Sequence, residues 1–273
     1  MRYIIIGKKG IYMNQPILFI AHGSPMNAIS NNVFTKSLEQ LGEKLKINKP
    51  KGILMISAHW LTNGATFIDV NENPRTIYDF GGFPDELRKV KYSSPGAPLL
   101  ANKIIQNIKS PQILPTSEWG LDHGSWSILK YLFPKEDTPV TQLSIDFSLS
   151  MKEHFEIGKK ISFLANEGYL IIGSGNLIHN LQVVDFQNKS TIASHPWVTT
   201  LSKSIVDALN NNDIDELLNY YQFPYANIGI KSPVHYIPFL YTLGASQDLN
   251  YKHSYIYSGF ELGTLDMRSI QFS

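Results

Sequence analysis

Apolar residues along this chain arrive in two rhythms. Three short runs, Ile17-Leu18-Phe19-Ile20-Ala21, Ile53-Leu54-Met55-Ile56 and Tyr169-Leu170-Ile171-Ile172, are continuous and rich in Ile. That is the pattern of strands buried on both faces of a parallel sheet. Residues 65–70 and 139–145 read as further strands, and 253–257 and 267–272 as closing ones. Between them the spacing turns helical. Val33, Leu38, Leu41 and Leu45 mark a helix over 33–45, Pro98 opens one over 98–108, and 125–132 carries another. Ser150 stands where it can cap a helix over 151–165. Residues 197–218 read as largely helical and 234–243 as helical, while 73–84, dense in Gly, Pro and aromatics, reads as a loop. Strand and helix alternate over most of the length, which predicts α/β architecture: a single domain with a mainly parallel central sheet flanked by helices.

The ends of the apolar runs carry the chemistry. Open α/β sheets bind ligands beyond the carboxyl ends of their strands. The first run leads into His22, the second into His59, and the third through Gly173-Ser174-Gly175-Asn176 to His179. Three strands would thus deliver imidazoles to one edge, and imidazole is both the commonest metal ligand and the usual base near neutral pH. His123 follows Asp122 at a helix start, where capping and function are equally good readings; His235 also falls at a helix start and alone carries little weight. His154 lies among Lys152, Glu153 and Glu156 and is expected on the solvated face of its helix. His195, before Pro196, and His253, in a polar terminal strand, are set aside with it. Asp79, Glu118, Asp122 and Glu261 lie near loops of pocket-like composition, although most such acids are surface or capping groups. No HExxH, Walker loop or GxGxxG is present, and Ser24, Ser57 and Ser174 have no nucleophile-elbow context.

Composition narrows the choices. Lys+Arg 24 against Asp+Glu 23 gives a net charge of +1, so nothing favours nucleic acid or an anionic membrane. Cys is absent, which removes disulfides, thiolate metal sites and a cysteine nucleophile, and fits a reducing compartment. Any metal must be held by His, Asp or Glu. No apolar stretch reaches the length of a membrane span, and the first residues are too short an apolar segment for a secretory signal. A cytoplasmic protein is expected, with 1–15 as an N-terminal extension and 16–273 as the domain.

Six segments, taken in order, are more specific than any single histidine. They are His22-Gly23-Ser24-Pro25-Met26, Ser57-Ala58-His59-Trp60, Ile77-Tyr78-Asp79-Phe80-Gly81-Gly82-Phe83-Pro84, Trp119-Gly120-Leu121-Asp122-His123-Gly124-Ser125-Trp126, Gly173-Ser174-Gly175-Asn176-Leu177-Ile178-His179-Asn180 and Pro233-Val234-His235-Tyr236-Ile237-Pro238. From about Pro16 to the C-terminus the chain resembles the 4,5-DOPA extradiol dioxygenase family, within the class III, LigB-type ring-opening dioxygenases. The resemblance implies a LigB-like fold and a metal-dependent enzyme that opens a catechol such as DOPA with O2 to a muconic semialdehyde-type product.

Carried over by motif, it makes His22 and His59 metal ligands and puts His235 where the wider superfamily has a ligating glutamate. His179 becomes the active-site base or a fourth metal ligand, and His123 lines the substrate and oxygen pocket, where it is expected to donate a hydrogen bond. The cofactor implied is one divalent metal ion, Fe(II) for oxygenation or Zn(II) as bound. Two His and one carboxylate is the usual non-haem Fe(II) triad; three neutral imidazoles instead resemble a catalytic zinc site. A zinc-dependent hydrolase and a non-catalytic metal-binding member therefore stay as alternatives, the latter disfavoured by the presence of all five motif histidines. Trp60, Trp119 and Trp126, with the loop 78–84, are expected to wall the ring, and Arg75 and Lys231 are candidates for a substrate carboxylate. The partners implied are a small catechol and O2, without nucleic acid or membrane; the oligomeric state is left open.

Overall fold

Each apolar run becomes a strand with both faces covered. A computed structural model of the chain describes residues 14–273. The central sheet contains β1 (Ile17–Ala21), β2 (Ile53–Thr62), β3 (Thr66–Asp69), β4 (Ile113–Thr116), β5 (Val140–Asp146), β6 (Leu170–Gly175), β7 (His253–Tyr257) and β8 (Ser269–Phe272), in the order β4-β3-β5-β2-β6-β1-β8-β7. At its heart β5, β2, β6 and β1 run parallel. The antiparallel strand β8 closes one side of this block, and β3 meets β5 in the antiparallel sense on the other. The extension expected over 1–15 falls mostly outside the described residues. Gln15 is described and buried, its backbone N–H donating to the Ala165 carbonyl at 3.0 Å.

Alternation along β1 divides the core into two layers. Ile17 and Phe19 pack with Leu54, Ile56 and the helices α2 (Pro98–Asn107), α4 (Met151–Ile161), α5 (Pro196–Asn210) and α6 (Ile237–Asp248). Leu18 and Ile20 face the opposite way with Ile53 and Met55, against α1 (Val33–Ile47) and α3 (His123–Leu132). A sheet covered on both faces has no polar side for its central strands, which is why these runs show no polar alternation.

Several elements depart from the sequence reading. The helix expected over 151–165 ends at Ile161 and resumes as a short turn over Phe163–Asn166. The region 197–218 breaks after Asn210, where Asn212 takes a left-handed φ of 55°, and resumes at Ile214–Leu218. Strand β4 carries Pro115 and escaped the pattern; it lies at the sheet edge, where a missing N–H costs no ladder bond. His154 is not solvated but fully buried, its Nδ1 3.1 Å from the Tyr241 hydroxyl. Its helix crosses α6 unusually closely: a Cβ on Gly158 would lie 2.3 Å from the Tyr241 carbonyl, so α6 covers the face that carries His154. No helix among the described residues is long and apolar enough to cross a membrane.

Candidate active site

The parallel strands end at one edge, and five histidines meet there. His22 directly follows β1 and is 1 % exposed. It sits on a tight turn: Gly23 takes φ +58°, and a Cβ there would lie 2.0 Å from the Glu261 carboxylate. His59 does not end its strand, since β2 runs on to Thr62. The ladder to β5 shifts register between Ile56 and Leu61, and this irregularity carries His59 toward the edge. His179 lies a few residues beyond β6, its backbone N–H donating to the Gly229 carbonyl at 2.9 Å. His123 is the first residue of α3, capped by the Asp122 carboxylate. His235 ends a 3-10 turn over Pro233–His235 that leads into α6. Asn176 holds this turn by donating its N–H to the His235 carbonyl at 2.9 Å.

The rings are in mutual contact. His22 and His59 have centroids 4.9 Å apart, each lies 5.2 Å from His235, and His123 lies 3.9 Å from His59. His179 stacks on His235 at 3.6 Å with planes 3° apart. One potential ligand atom each from His22, His59 and His235 lies within 4.8 Å of the others, a grouping able to hold a metal ion. A second such grouping joins His59, Asp79 and His123.

Hydrogen-bond accounting assigns the tautomers. The Asp79 Oδ2 is 2.9 Å from His123 Nδ1 and 3.1 Å from His59 Nδ1, while Oδ1 accepts the His123 backbone N–H at 2.9 Å. Burial would raise the Asp79 pKa, but hydrogen bonds and attraction from the two rings hold it well below the ordinary carboxylate range. An ionised carboxylate only accepts, so both Nδ1 atoms carry protons. On the other side, the Ser174 hydroxyl donates to the Gly124 carbonyl and accepts from His22 Nδ1 at 2.9 Å. With both rings neutral, as metal ligation requires, His22 Nε2 and His59 Nε2 are bare acceptors, and they face each other at 3.1 Å. Two lone pairs at that distance repel unless a cation lies where both point. Tetrahedral nitrogen ligands at Zn–N distances stand roughly 3.3 Å apart, so the observed spacing fits a bound divalent ion.

Protonation states agree with this. Burial, then repulsion by neighbouring rings, pushes His22 and His235 well below the usual histidine range. Burial lowers His179 to about 4 and lowers His123 as well, the latter opposed by its bond to Asp79. Neutral imidazoles are what metal coordination requires.

The cavity in front of the histidines has a volume of about 550 Å3. All five sequence-identified histidines line it, as does Asp79. The aromatic wall differs from the expected one. None of Trp60, Trp119 and Trp126 lines the cavity. Trp60 and Trp119 stack on each other at 5.3 Å, and Trp126 is buried behind Phe80 with its indole N–H on the Ile77 carbonyl. The lining comes instead from Phe80 and Phe83 of the predicted loop, and from Leu181, Phe186, Leu262 and Leu265, which sequence reading missed. Leu181 and Phe186 follow closely on the His179 motif, which was the only signal in the sequence that could have drawn attention to them.

The other candidates have other tasks. Asp122 joins the β2 irregularity to α3 by accepting from Ser57 and Ser125. Glu261 lies behind His22, accepting from the Ser24 N–H at 2.8 Å and the Asn27 amide at 3.0 Å, and burial pushes its carboxyl up to about 7. Glu118 is absent from the cavity lining. Arg75 donates to the Glu118 carbonyl and Lys231 to Gln182, and neither lines the cavity.

Comparison with known proteins bears on this geometry. Residues 15–264 match the family described as the catalytic LigB subunit of aromatic ring-opening dioxygenase. The chain is 38% identical over 260 residues to the 4,5-DOPA dioxygenase extradiol of Escherichia coli K12, covering 94% of each chain. It is 35% identical over 265 residues to the protein of the same name from Beta vulgaris, covering 93% of this chain and 95% of that one. The crystal structure of an uncharacterized Escherichia coli K12 protein superposes with a TM-score of 0.81 at 34% identity, covering 95% of this chain and 100% of that chain.

Proposed function

The chain belongs to the LigB family of aromatic ring-opening dioxygenases and is an extradiol ring-cleaving enzyme; from that premise we propose that it opens a catechol with O2, beside the two hydroxyls, to a muconic semialdehyde-type product. The observation that carries this reading is the pair of bare Nε2 atoms on His22 and His59, 3.1 Å apart with His235 beside them. These three side chains would hold one divalent metal ion, Fe(II) in the oxygenating enzyme. When bound, the ion would supply the positive charge that acidifies the catechol hydroxyls and the redox chemistry of oxygen activation.

The remaining residues orient and move protons. Asp79 fixes the tautomer of His59 and Ser174 that of His22, so each presents a lone pair inward. His179 is neutral, and we assign it as the base that takes a catechol proton rather than as a fourth ligand. Its parallel stacking on His235 supports that role, because it sets the two rings side by side instead of converging their nitrogens on one point. His123, with its Nδ1–H held by Asp79, presents Nε2 to the cavity as an acceptor. The neutral ring thus takes a proton before it can donate one, and Asp79 stabilises the imidazolium that results. Phe80 and Phe83 give the flat ring an apolar wall that excludes water.

The all-histidine donor set also suits zinc hydrolysis, and oxygen consumption separates the two readings. Protein reconstituted anaerobically with Fe(II) should consume O2 and develop a new absorbance when given catechols. His59→Ala should lose both bound metal and uptake. Absence of uptake with every catechol tested, from protein retaining its iron, would overturn the ring-opening assignment.

A further inference from the structure

Beyond the histidine end, the cavity is built for a hydrocarbon. Besides the histidines, its lining includes Phe80, whose ring lies 5.6 Å from that of His123, together with Phe83, Leu181, Phe186, Leu262 and Leu265. Phe186 is 70 % exposed and Leu181 57 %. Both line the same cavity, and contiguous apolar surface of that kind is characteristic of ligand-binding grooves. Leu262 adds a backbone observation: it takes φ 50°, a conformation that costs a non-glycine residue on the order of 1 kcal/mol or more. Its carbonyl accepts the Asp185 N–H at 2.9 Å, so the strained residue is tied directly to the segment carrying Phe186.

The charge on the wall points the same way. Among the described residues, no Lys or Arg lines the cavity, and its single carboxylate, Asp79, is engaged by two histidines. A substrate carboxylate reaching the mouth would meet apolar surface without a cationic partner and would lose its hydration there. A volume of about 550 Å3 is also more than one small ring fills, leaving room for a substituent.

We propose that the substrate is a catechol bearing an uncharged, apolar alkyl or aryl substituent, which lies along Phe83, Leu181, Phe186 and Leu262 while the hydroxyls face the histidines. This rests on the ring-opening reading above. It sets the chain apart in substrate class from an amino-acid catechol, which carries a carboxylate and an ammonium at that end.

The test compares catechol, 4-methylcatechol, 4-propylcatechol, L-DOPA and 3,4-dihydroxyphenylacetate by oxygen uptake with the Fe(II) enzyme. The same compounds are titrated by calorimetry into the zinc-loaded protein without O2. The kcat/KM should rise about fourfold for each added methylene, the factor expected from burying one CH2. 4-Propylcatechol should exceed both carboxylated compounds at least tenfold in kcat/KM and in affinity. Phe186→Ser and Leu181→Ser should flatten the rise with chain length. Preference for L-DOPA or dihydroxyphenylacetate would overturn the proposal. Loss of that preference in Lys231→Met would name an anion partner at the rim, and its persistence would point to the Gly81 and Gly82 amides. If no catechol supports oxygen uptake, the ring-opening reading fails, yet calorimetry still decides whether the cavity selects apolar catechols.

Discussion

Asp79→Asn removes one charge and almost no volume, so its consequences follow from hydrogen bonds and charge rather than from packing. Three N–H groups converge on this carboxylate: His123 Nδ1 at 2.9 Å, His59 Nδ1 at 3.1 Å and the His123 backbone at 2.9 Å. An amide offers one oxygen and one NH2. Turned one way, it faces the two imidazole protons with a donor; turned the other, it faces the His123 backbone N–H with one. Either orientation loses at least one charge-assisted bond, worth about 1.5–3 kcal/mol. The first also favours a proton on His59 Nε2, the atom that faces His22. Loss of such an outer partner weakens metal binding by roughly 10–100-fold, or about 1.4–2.8 kcal/mol at 1.4 kcal/mol per decade. Competition with a chromophoric chelator for Zn(II) at neutral pH measures this, and nitrogen NMR of the ring atoms reports the His59 tautomer. Affinity within twofold of wild type, with the His59 tautomer unchanged, would refute the assignment of Asp79 as the group that aims these rings.

His179→Gln should keep metal within a few-fold of wild type while slowing turnover by roughly 100-fold or more, the usual contribution of a positioned base; metal loss as severe as in His59→Ala would make it a ligand. Glu261→Gln tests a pH effect. The folded-state pKa of Glu261, about 7, lies above the ordinary 4.5, so folding binds a proton between those values. The stability from this site is fully present below about pH 4.5 and lost as pH rises through about 7, a change on the order of 3 kcal/mol. The amide of the variant would keep an acceptor for Ser24 and Asn27 without that loss, so urea unfolding should show it gaining on wild type as pH rises; a pH-independent difference would count against this account. Gly175→Ala would put a Cβ 2.1 Å from the His235 carbonyl, a backbone atom with little freedom to yield. Overpacking should cost roughly 1–3 kcal/mol and shift the His235 turn, so thermal stability and metal content should fall together; no change in either would contradict the close approach described.

Much of the framework was legible because burial writes itself into local pattern. The runs at Ile17, Ile53 and Leu170 are apolar without alternation, and a strand covered on both faces needs nothing else. Elements failed where the deciding contact lay far along the chain. His154 reads as polar among Lys152, Glu153 and Glu156, and only the close crossing of α6, permitted by Gly158 and Gly244, buries it. Trp60 and Trp119 are nearly 60 positions apart, so their stacking could not be inferred from either neighbourhood.

The candidate site divides in the same manner. His22, His59 and His179 could be named from strand ends and glycine-rich turns, which mark where a ligand can approach, whereas His123 and His235 could be named only through the family resemblance. Asp79 was visible only as an acid in an aromatic loop, and Ser174 only as a serine without a nucleophile's setting. What each contributes depends on a partner 44 or 20 residues away from Asp79, and 152 residues away from Ser174. Residue type and periodicity determined that His22, His59 and His179 reach the sheet edge. Tertiary structure alone decided which nitrogen of each faces inward and which hydrocarbon walls face them, because a proton's place on a ring is set by whatever sits across the hydrogen bond.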